Sequence, residues 1–317
     1  MFDFEKREKM RYIKFGERQK EVSEVVLGLM RISEMTVDQV EDLIESALAV
    51  GINAFDIADC YGHGKCEQIL GEVLKRRPDL REKMWIQSKC GIRMEEFTYF
   101  DFSKEHILEA VDGILERLNV DYIDSLLLHR PDALMEPAEI AEAFDLLKSQ
   151  GKVIDFGVSN QNPMMMTLIQ KDVNQPLVAN QLQLSAAFTP SFDAGFHVNM
   201  KQEAGIVRDS SIFEYCRLHD VVIQAWSVLQ FDYFGGVFLG SEKYPELNHV
   251  LNRLAEKYHV SPSAVAIAWV LRYPAKMQAV IGTTKKARVA EAAKAAEIQL
   301  TRKEWYEIYL AAGNDLP

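Results

Sequence analysis

Four polar residues stand where apolar runs give out. Asp56 falls near the end of Ala54-Phe55-Asp56-Ile57, and Tyr61 follows five residues later. Lys89 follows Trp85-Ile86-Gln87-Ser88, and His129 directly follows Leu126-Leu127-Leu128. Ionisable side chains are costly after buried strands unless they pair. Placed on one rim, these four make a proton-transfer site. A tyrosine has an unperturbed pKa of about 10. A nearby lysine ammonium favours the phenolate and lowers that value, and a carboxylate keeps the lysine charged and aimed. In this reading Tyr61 is a general acid, Lys89 and Asp56 tune it, and His129 orients a carbonyl oxygen. The cluster holds no electron source, so carbonyl reduction needs a bound hydride donor. Singly, Asp56 and Lys89 also suit a structural ion pair, His129 a satisfied core histidine, and Tyr61-Gly62 a turn. Their joint placement speaks for chemistry.

The elements that would bring them together are legible in the pattern. Short apolar or β-branched runs lie near Val25–Leu27, Ala54–Ile57, Trp85–Ser88, Ser125–Leu128, Val153–Gly157, Val178–Gln181, Val221–Ala225 and Gln278–Ile281. Between them, Val37–Val50, Ser103–Leu118, Ala138–Ser149 and Pro262–Arg272 carry apolar residues at helical spacing. Ser103 and Ser261-Pro262 read as helix starts, and Gly51 and Gly151 as helix ends. Eight strand-then-helix units predict an α/β fold, a closed (β/α)8 TIM barrel rather than an open doubly wound sheet. Arg11–Phe15 with Gly16-Glu17 suggests a short N-terminal hairpin. A helical extension closes the chain, and residues 1–317 read as one domain. Barrels of this kind carry their chemistry at the C-terminal ends of the strands.

Composition narrows the function. The chain has 317 residues, 48% of them hydrophobic, and a net charge of -11. That surface repels phosphate backbones and anionic membranes, so neither nucleic acid nor a membrane is an expected partner. The longest apolar run, Ala264–Leu271, is far short of the roughly 18 residues of a membrane span. Met1–Met10 mixes charges with no apolar stretch resembling a leader. The four cysteines, Cys60, Cys66, Cys90 and Cys216, form no CxxC pair, which fits a reducing, cytoplasmic compartment. No HxH, HExxH or Cys/His cluster stands out along the chain, and His197 and Asn199 do not make one, so no metal is expected.

The segment Ile281-Gly282-Thr283-Thr284-Lys285-Lys286-Ala287-Arg288 opens a helix after the last strand. Cations at a helix N-terminus oppose the macrodipole. An anion bound there would account for them, and the 2′-phosphate of NADP suits the place; a solvated basic face is the other reading.

At these residues the sequence resembles the aldo-keto reductase family, in particular its bacterial branch of less characterised oxidoreductases. The likeness rests on Phe55-Asp56-Ile57-Ala58-Asp59-Cys60-Tyr61-Gly62, Gln87-Ser88-Lys89-Cys90-Gly91, Leu126-Leu127-Leu128-His129-Arg130-Pro131-Asp132, Gly157-Val158-Ser159-Asn160 and the Ile281–Arg288 segment, in family order. It implies an NADPH-dependent oxidoreductase acting on small aldehydes or ketones, with Asp56, Tyr61, Lys89 and His129 as catalytic tetrad. It further implies that Ser159, Asn160 and Gln181 hold the nicotinamide carboxamide, that Trp226 stacks on the nicotinamide, and that Ser227 faces the pyrophosphate. Gly282, Thr283, Thr284, Lys285 and Arg288 would complete the cofactor site. Val228 stands where the family usually has proline, Gly235 and Gly236 fall later than the usual loop glycine, and Ala292 replaces a frequent asparagine.

Two other functions fit parts of the pattern. A Schiff-base aldolase also uses a barrel lysine, although a carboxylate partner would keep Lys89 charged. A nucleotide-binding accessory or sensor subunit would keep the cofactor motifs with little turnover. The stretch Ala186–Ser211 reads as a long loop whose Phe188, Phe192 and Phe196 either wall the substrate pocket or pack locally.

Overall fold

The eight predicted strands form one closed, all-parallel barrel. They are Val25–Gly28, Ala54–Asp56, Trp85–Cys90, Ile123–Leu128, Val153–Ser159, Leu177–Gln183, Val222–Trp226 and Met277–Ile281, called here the first to the eighth. Each pairs with its neighbour in the chain, and the eighth closes on the first through Ile281 and Leu27. The computed structural model describes residues 10–208 and 210–316; Met1–Lys9, most of the segment scanned for a leader, lies outside them.

Capping sets the helices between the strands. Thr36 makes a reciprocal capping box with Gln39, and Ser103 and Ser261 accept the backbone N–H three residues on, as predicted. Gly51 and Gly151 take positive φ just past helix ends. The C-terminal helix Arg302–Ala311 docks on Pro262–Leu271 through Trp305 and Trp269. Their rings stack 4.9 Å apart, and each indole N–H donates to the other's carbonyl oxygen. No helix among the described residues is long and apolar enough to cross a membrane.

The predicted hairpin is present as Tyr12–Phe15 and Lys20–Ser23, antiparallel. It plugs the N-terminal end of the barrel. Phe15 is fully buried against Trp85, ring centroids 4.6 Å apart.

Because strand side chains alternate with period 2, the barrel interior fills in levels. Ala54 pairs with Trp85, and Ala179 with Val222, in the apolar floor above Phe15. Two residues on, Asp56 pairs with Gln87, and Gln181 with Gln224, which pairs with Gln278. A further two residues bring Lys89 and Trp226 to the mouth. The middle level is polar, where barrel interiors are usually branched and apolar.

The stretch read as a long loop carries structure of its own, a helix over Pro190–Phe196 and a 3-10 turn over Glu203–Gly205. Phe192 packs against Phe213, Trp269, Tyr273 and Trp305, and Phe196 against Trp305, Tyr306 and Tyr309. Of the two roles open to these rings, local packing on the outer helices is the one adopted.

The floor should bear measurable stability. Phe15→Ala removes a fully buried ring from a closed cavity and is predicted to cost about 3–5 kcal/mol, read as a lower urea midpoint at unchanged slope. A loss below about 1 kcal/mol would mean that the hairpin is not part of the cooperative core.

Candidate active site

Three of the four proposed catalytic side chains are in direct contact. The Lys89 ammonium, fully buried, donates to Asp56 Oδ2 at 2.8 Å, to the Ile57 carbonyl at 2.8 Å and to the Tyr61 hydroxyl at 3.2 Å. Lysine has three donors, so all are used. The His129 ring meets the Tyr61 ring edge-on, centroids 5.8 Å apart. The turn carrying Tyr61 is pinned to the strand that carries Lys89, since Ile57 N–H donates to the Gln87 carbonyl and Asp59 N–H to the Lys89 carbonyl.

Beneath this cluster lies the polar level. Asp56 Oδ1 accepts from Gln87 Nε2 at 2.8 Å and from Gln181 Nε2 at 2.9 Å. Gln87 and Gln224 exchange hydrogen bonds in both directions, Gln224 donates to Gln278, and Gln278 donates to the Ser23 carbonyl. The chain of amides thus runs from the hairpin to the Asp56 carboxylate. Sequence reasoning assigned Gln181 to the cofactor and passed over Gln87, Gln224 and Gln278. The period-2 register from Trp85 to Gln87 to Lys89 was the available signal.

The balance at Tyr61 corrects the sequence expectation. Lys89 does favour the phenolate, but burial outweighs it and pushes the phenol up to about 12. Tyr61 therefore keeps its proton at neutral pH. Burial alone would pull Lys89 down; the Asp56 carboxylate and the Tyr61 oxygen reverse that and hold it at about 12. Burial, then the charges of Lys89 and Arg130, hold His129 well below its ordinary value, so it is a neutral imidazole.

Fold geometry also assembles a group invisible along the chain. Asp59, Cys60 and His129 offer ligand-type atoms all within 4.8 Å of one another, and Cys60 Sγ lies 3.7 Å from His129 Nδ1. Burial, then Asp59, pushes the Cys60 thiol up to about 12. Asp59 Oδ1 is buried with no hydrogen-bond partner. Burial, then Glu67, raises its carboxyl to about 7. Glu67 is fully buried and anchored by Arg117 at 2.8 Å and by Ser88 at 2.7 Å.

The remaining predicted residues line the same mouth. Ser159 Oγ donates to the Gln181 carbonyl and accepts from Asn160 Nδ2. Asn160 sits at φ 55°, a conformation asparagine tolerates. Trp226, half-buried at the end of the seventh strand, has an indole N–H with no partner. Ser227, also at positive φ, donates to Gln230 Oε1 at 2.7 Å. The unusual glycines belong to a small hairpin, Gln230–Phe231 with Gly236–Val237, which carries Tyr233 and Phe234 at its tip. Val228 is buried, and Ala292 offers no polar side-chain atom in the last barrel helix. That helix spans Lys286–Ala293, and its N-cap residue, Lys285, makes no side-chain cap. Thr283 Oγ1 accepts from Lys285 N–H, and the Gly282 carbonyl accepts from Arg31. Thr284 is half-exposed beside them. Lys286 pairs with Asp42 at 2.6 Å, whereas Lys285 and Arg288 are exposed and have no ion-pair partner among the described residues.

Comparison with known proteins identifies the family. A model of the aldo/keto reductase family matches residues 24–311. A 6-dehydroglucose reductase of Agrobacterium fabrum is 35% identical over 307 residues, covering 93% of this chain and 96% of the relative. The oxidoreductase YdhF of Escherichia coli is 35% identical over 306 residues, covering 94% and 96%. Among solved structures, an aldo-keto reductase from Klebsiella pneumoniae in complex with NADPH superposes with a TM-score of 0.76 at 20% identity, covering 97% of each chain.

The raised Asp59 carboxyl has a consequence for stability. Its folded-state pKa of about 7 lies above the ordinary 3.8, so the native protein holds a proton that the unfolded chain releases. The associated stability is present at low pH and is lost as pH rises through that window. Asp59→Asn removes the loss. The variant should match wild type near pH 4 and exceed it by about 1–3 kcal/mol at pH 8. Unfolding curves at both pH values check this; an equal difference at the two would mean that Asp59 does not titrate as described.

Proposed function

Because the chain belongs to the aldo/keto reductase family, we propose that it reduces the carbonyl group of small aldehydes or ketones with NADPH, using Tyr61 as proton donor. The observation that carries this reading is the Lys89 ammonium, held by Asp56 and aimed at the Tyr61 hydroxyl at 3.2 Å.

The residues present fit the cofactor. Trp226 offers an aromatic face with an unpartnered N–H at the mouth. Ser159, Asn160 and Gln181 present polar groups beside it. Gln181 spends its amide nitrogen on Asp56 and Gln224, which leaves Oε1 to accept from a carboxamide. Gly282, Thr283, Thr284, Lys285 and Arg288 lie at an uncapped helix N-terminus after the eighth strand, and Ser227 follows the seventh strand, its neighbour in the barrel. Backbone N–H groups and cations together favour a phosphate there. NADPH held there would supply the hydride for the carbonyl carbon.

The protein's own groups handle the proton. As negative charge develops on the carbonyl oxygen, Tyr61 transfers its hydroxyl hydrogen to that oxygen and the alcohol is completed. The phenolate left behind is stabilised by Lys89, whose ammonium already lies against it. Asp56 balances the lysine charge, and the glutamine level holds Asp56 by Oδ1. His129 orients the substrate. The Cys60 thiol lies 3.7 Å from Nδ1; with the thiol as donor, the imidazole hydrogen sits on Nε2, from which it would donate to the carbonyl oxygen. A Lys89 with three occupied donors and a carboxylate partner is poorly suited to attack a carbonyl as a free amine, which disfavours the aldolase alternative.

Tyr61→Phe keeps the ring and removes the donor. Carbonyl reduction should fall about two to four orders of magnitude, while the NADPH dissociation constant stays within about threefold. Stopped-flow reduction and fluorescence titration measure the two. Near-wild-type reduction by this variant would remove Tyr61 from the role. Tight NADPH binding without turnover of any aldehyde, ketone or quinone by the wild type would instead favour an accessory or sensor subunit.

Arg288→Ala and Lys285→Ala address the choice of cofactor. Each lost charge-assisted contact should weaken NADPH binding about tenfold to a hundredfold and leave NADH nearly unaffected. The preference should shrink as salt rises. Parallel weakening of both cofactors would reduce these residues to a structural role.

A further inference from the structure

One cation at the barrel mouth has no part in the tetrad or in the expected cofactor contacts. Arg130 directly follows His129 at the end of the fourth strand. Its guanidinium lies 5.6 Å from the ring centroid of Trp226, at the end of the seventh strand, and 5.9 Å from that of Tyr233. The fourth and seventh strands are separated by two others in the eight-stranded ring. The side chain therefore reaches across the mouth, over the opening above the tetrad. Its charge is felt at the catalytic histidine, where it adds to the forces that keep His129 neutral.

Arg130 is also unneutralised. Of the half-buried arginines among the described residues, Arg11, Arg77, Arg81, Arg93 and Arg117 pair with carboxylates and Arg272 donates to the Leu300 carbonyl, but Arg130 has no ion-pair or hydrogen-bond partner. Two aromatic neighbours hold the guanidinium without satisfying any of its five N–H donors. Trp226 contributes a second unpartnered donor, its buried indole N–H. Tyr233 and Phe234, 67% and 48% exposed, border the opening with apolar surface. The mouth thus offers two unpartnered donors, the Arg130 guanidinium and the Trp226 indole, beside a histidine that would orient the reacting carbonyl.

We propose that Arg130 is a specificity-determining residue that binds a carboxylate on the substrate, so that the preferred substrates are small oxo acids, aldehydes or ketones carrying a carboxylate a few bonds from the carbonyl. A planar guanidinium fork matches a planar carboxylate with two parallel hydrogen bonds. The separation is short because the guanidinium lies over Trp226 at the same mouth that His129 lines, so that anion and carbonyl would be held side by side. The positive mouth on an acidic protein also draws such anions in. This inference rests on the carbonyl-reductase reading of the same site.

The test compares succinic semialdehyde with butanal, an aldehyde of the same chain length without the carboxylate. The wild type should prefer the oxo acid. Arg130→Gln should lower the ratio of kcat/KM values, oxo acid over butanal, by about tenfold to a hundredfold, mainly through KM. Arg130→Lys, which keeps the charge and loses the fork, should fall between the two and serves where Arg130→Gln does not fold. In parallel, glutarate is titrated calorimetrically into the protein–NADP+ complex, and Arg130→Gln should weaken its binding by a similar factor. An unchanged ratio with unchanged glutarate affinity overturns the proposal. A selective loss of NADPH affinity, with the ratio intact, also overturns it by giving the guanidinium to the cofactor. If the wild type reduces neither aldehyde, carbonyl reduction itself fails, and the glutarate titration still decides whether Arg130 is an anion site.

Discussion

Lys89 is a full positive charge with no exposed surface, and the architecture of the site follows from what that requires. Removing an ammonium from water costs several kcal/mol even after relaxation, and the cost is recovered only with good geometry and no donor left over. Asp56, the Ile57 carbonyl and the Tyr61 hydroxyl take the three donors. The arrangement fixes Tyr61 by need rather than by chance, since moving the tyrosine would strand a donor of a buried cation. In the proposed reaction a stabiliser for the phenolate is therefore in place from the start, and no reorganisation is needed when the proton leaves.

The same requirement propagates downward. A carboxylate at the centre of a barrel has oxygen lone pairs to satisfy, and Lys89 reaches only Oδ2. Gln87 and Gln181 supply Oδ1. Buried amides in turn need partners, which is how Gln224 and Gln278 enter, ending on the Ser23 carbonyl. Partly satisfied polar networks are costly and fully satisfied ones rigid. The apolar floor of Phe15, Trp85 and their neighbours shields the level from water below. A barrel interior that is apolar, then amidic, then ionic holds the buried Lys89 charge rigidly without exposing it.

Above the tetrad, the mouth keeps cations without carboxylate partners. Most cations of this acidic chain are spent on carboxylates, Lys286 on Asp42 among them. Lys285 and Arg288 at one edge of the mouth, and Arg130 across its centre, are not. Unpaired cations kept at an opening, with repulsion elsewhere on the surface, favour anionic ligands there over non-specific binding. That contrast links the cofactor reading and the substrate reading through one electrostatic feature.

The sequence by itself determined the eightfold alternation, the hairpin, the cap residues and the four catalytic candidates. Each is a local property: a strand's period, a serine before a helix, an ionisable residue after an apolar run. The family motifs added the cofactor residues in order. What lay beyond it were relations across the barrel. The glutamines of the middle level look like ordinary polar residues in separate strands, and only the register of those strands stacks them under Asp56. Phe192 and Phe196 gave no sign of whether they faced inward or outward, because that depends on the packing of the C-terminal helix. The rise at Tyr61 was missed for a similar reason. A neighbouring lysine can be guessed from spacing, but the depth of burial, which outweighs it, is a sum over every element packed around the mouth. The reach of Arg130 from the fourth strand to the seventh is likewise a distance through space, and closure of the barrel alone sets it.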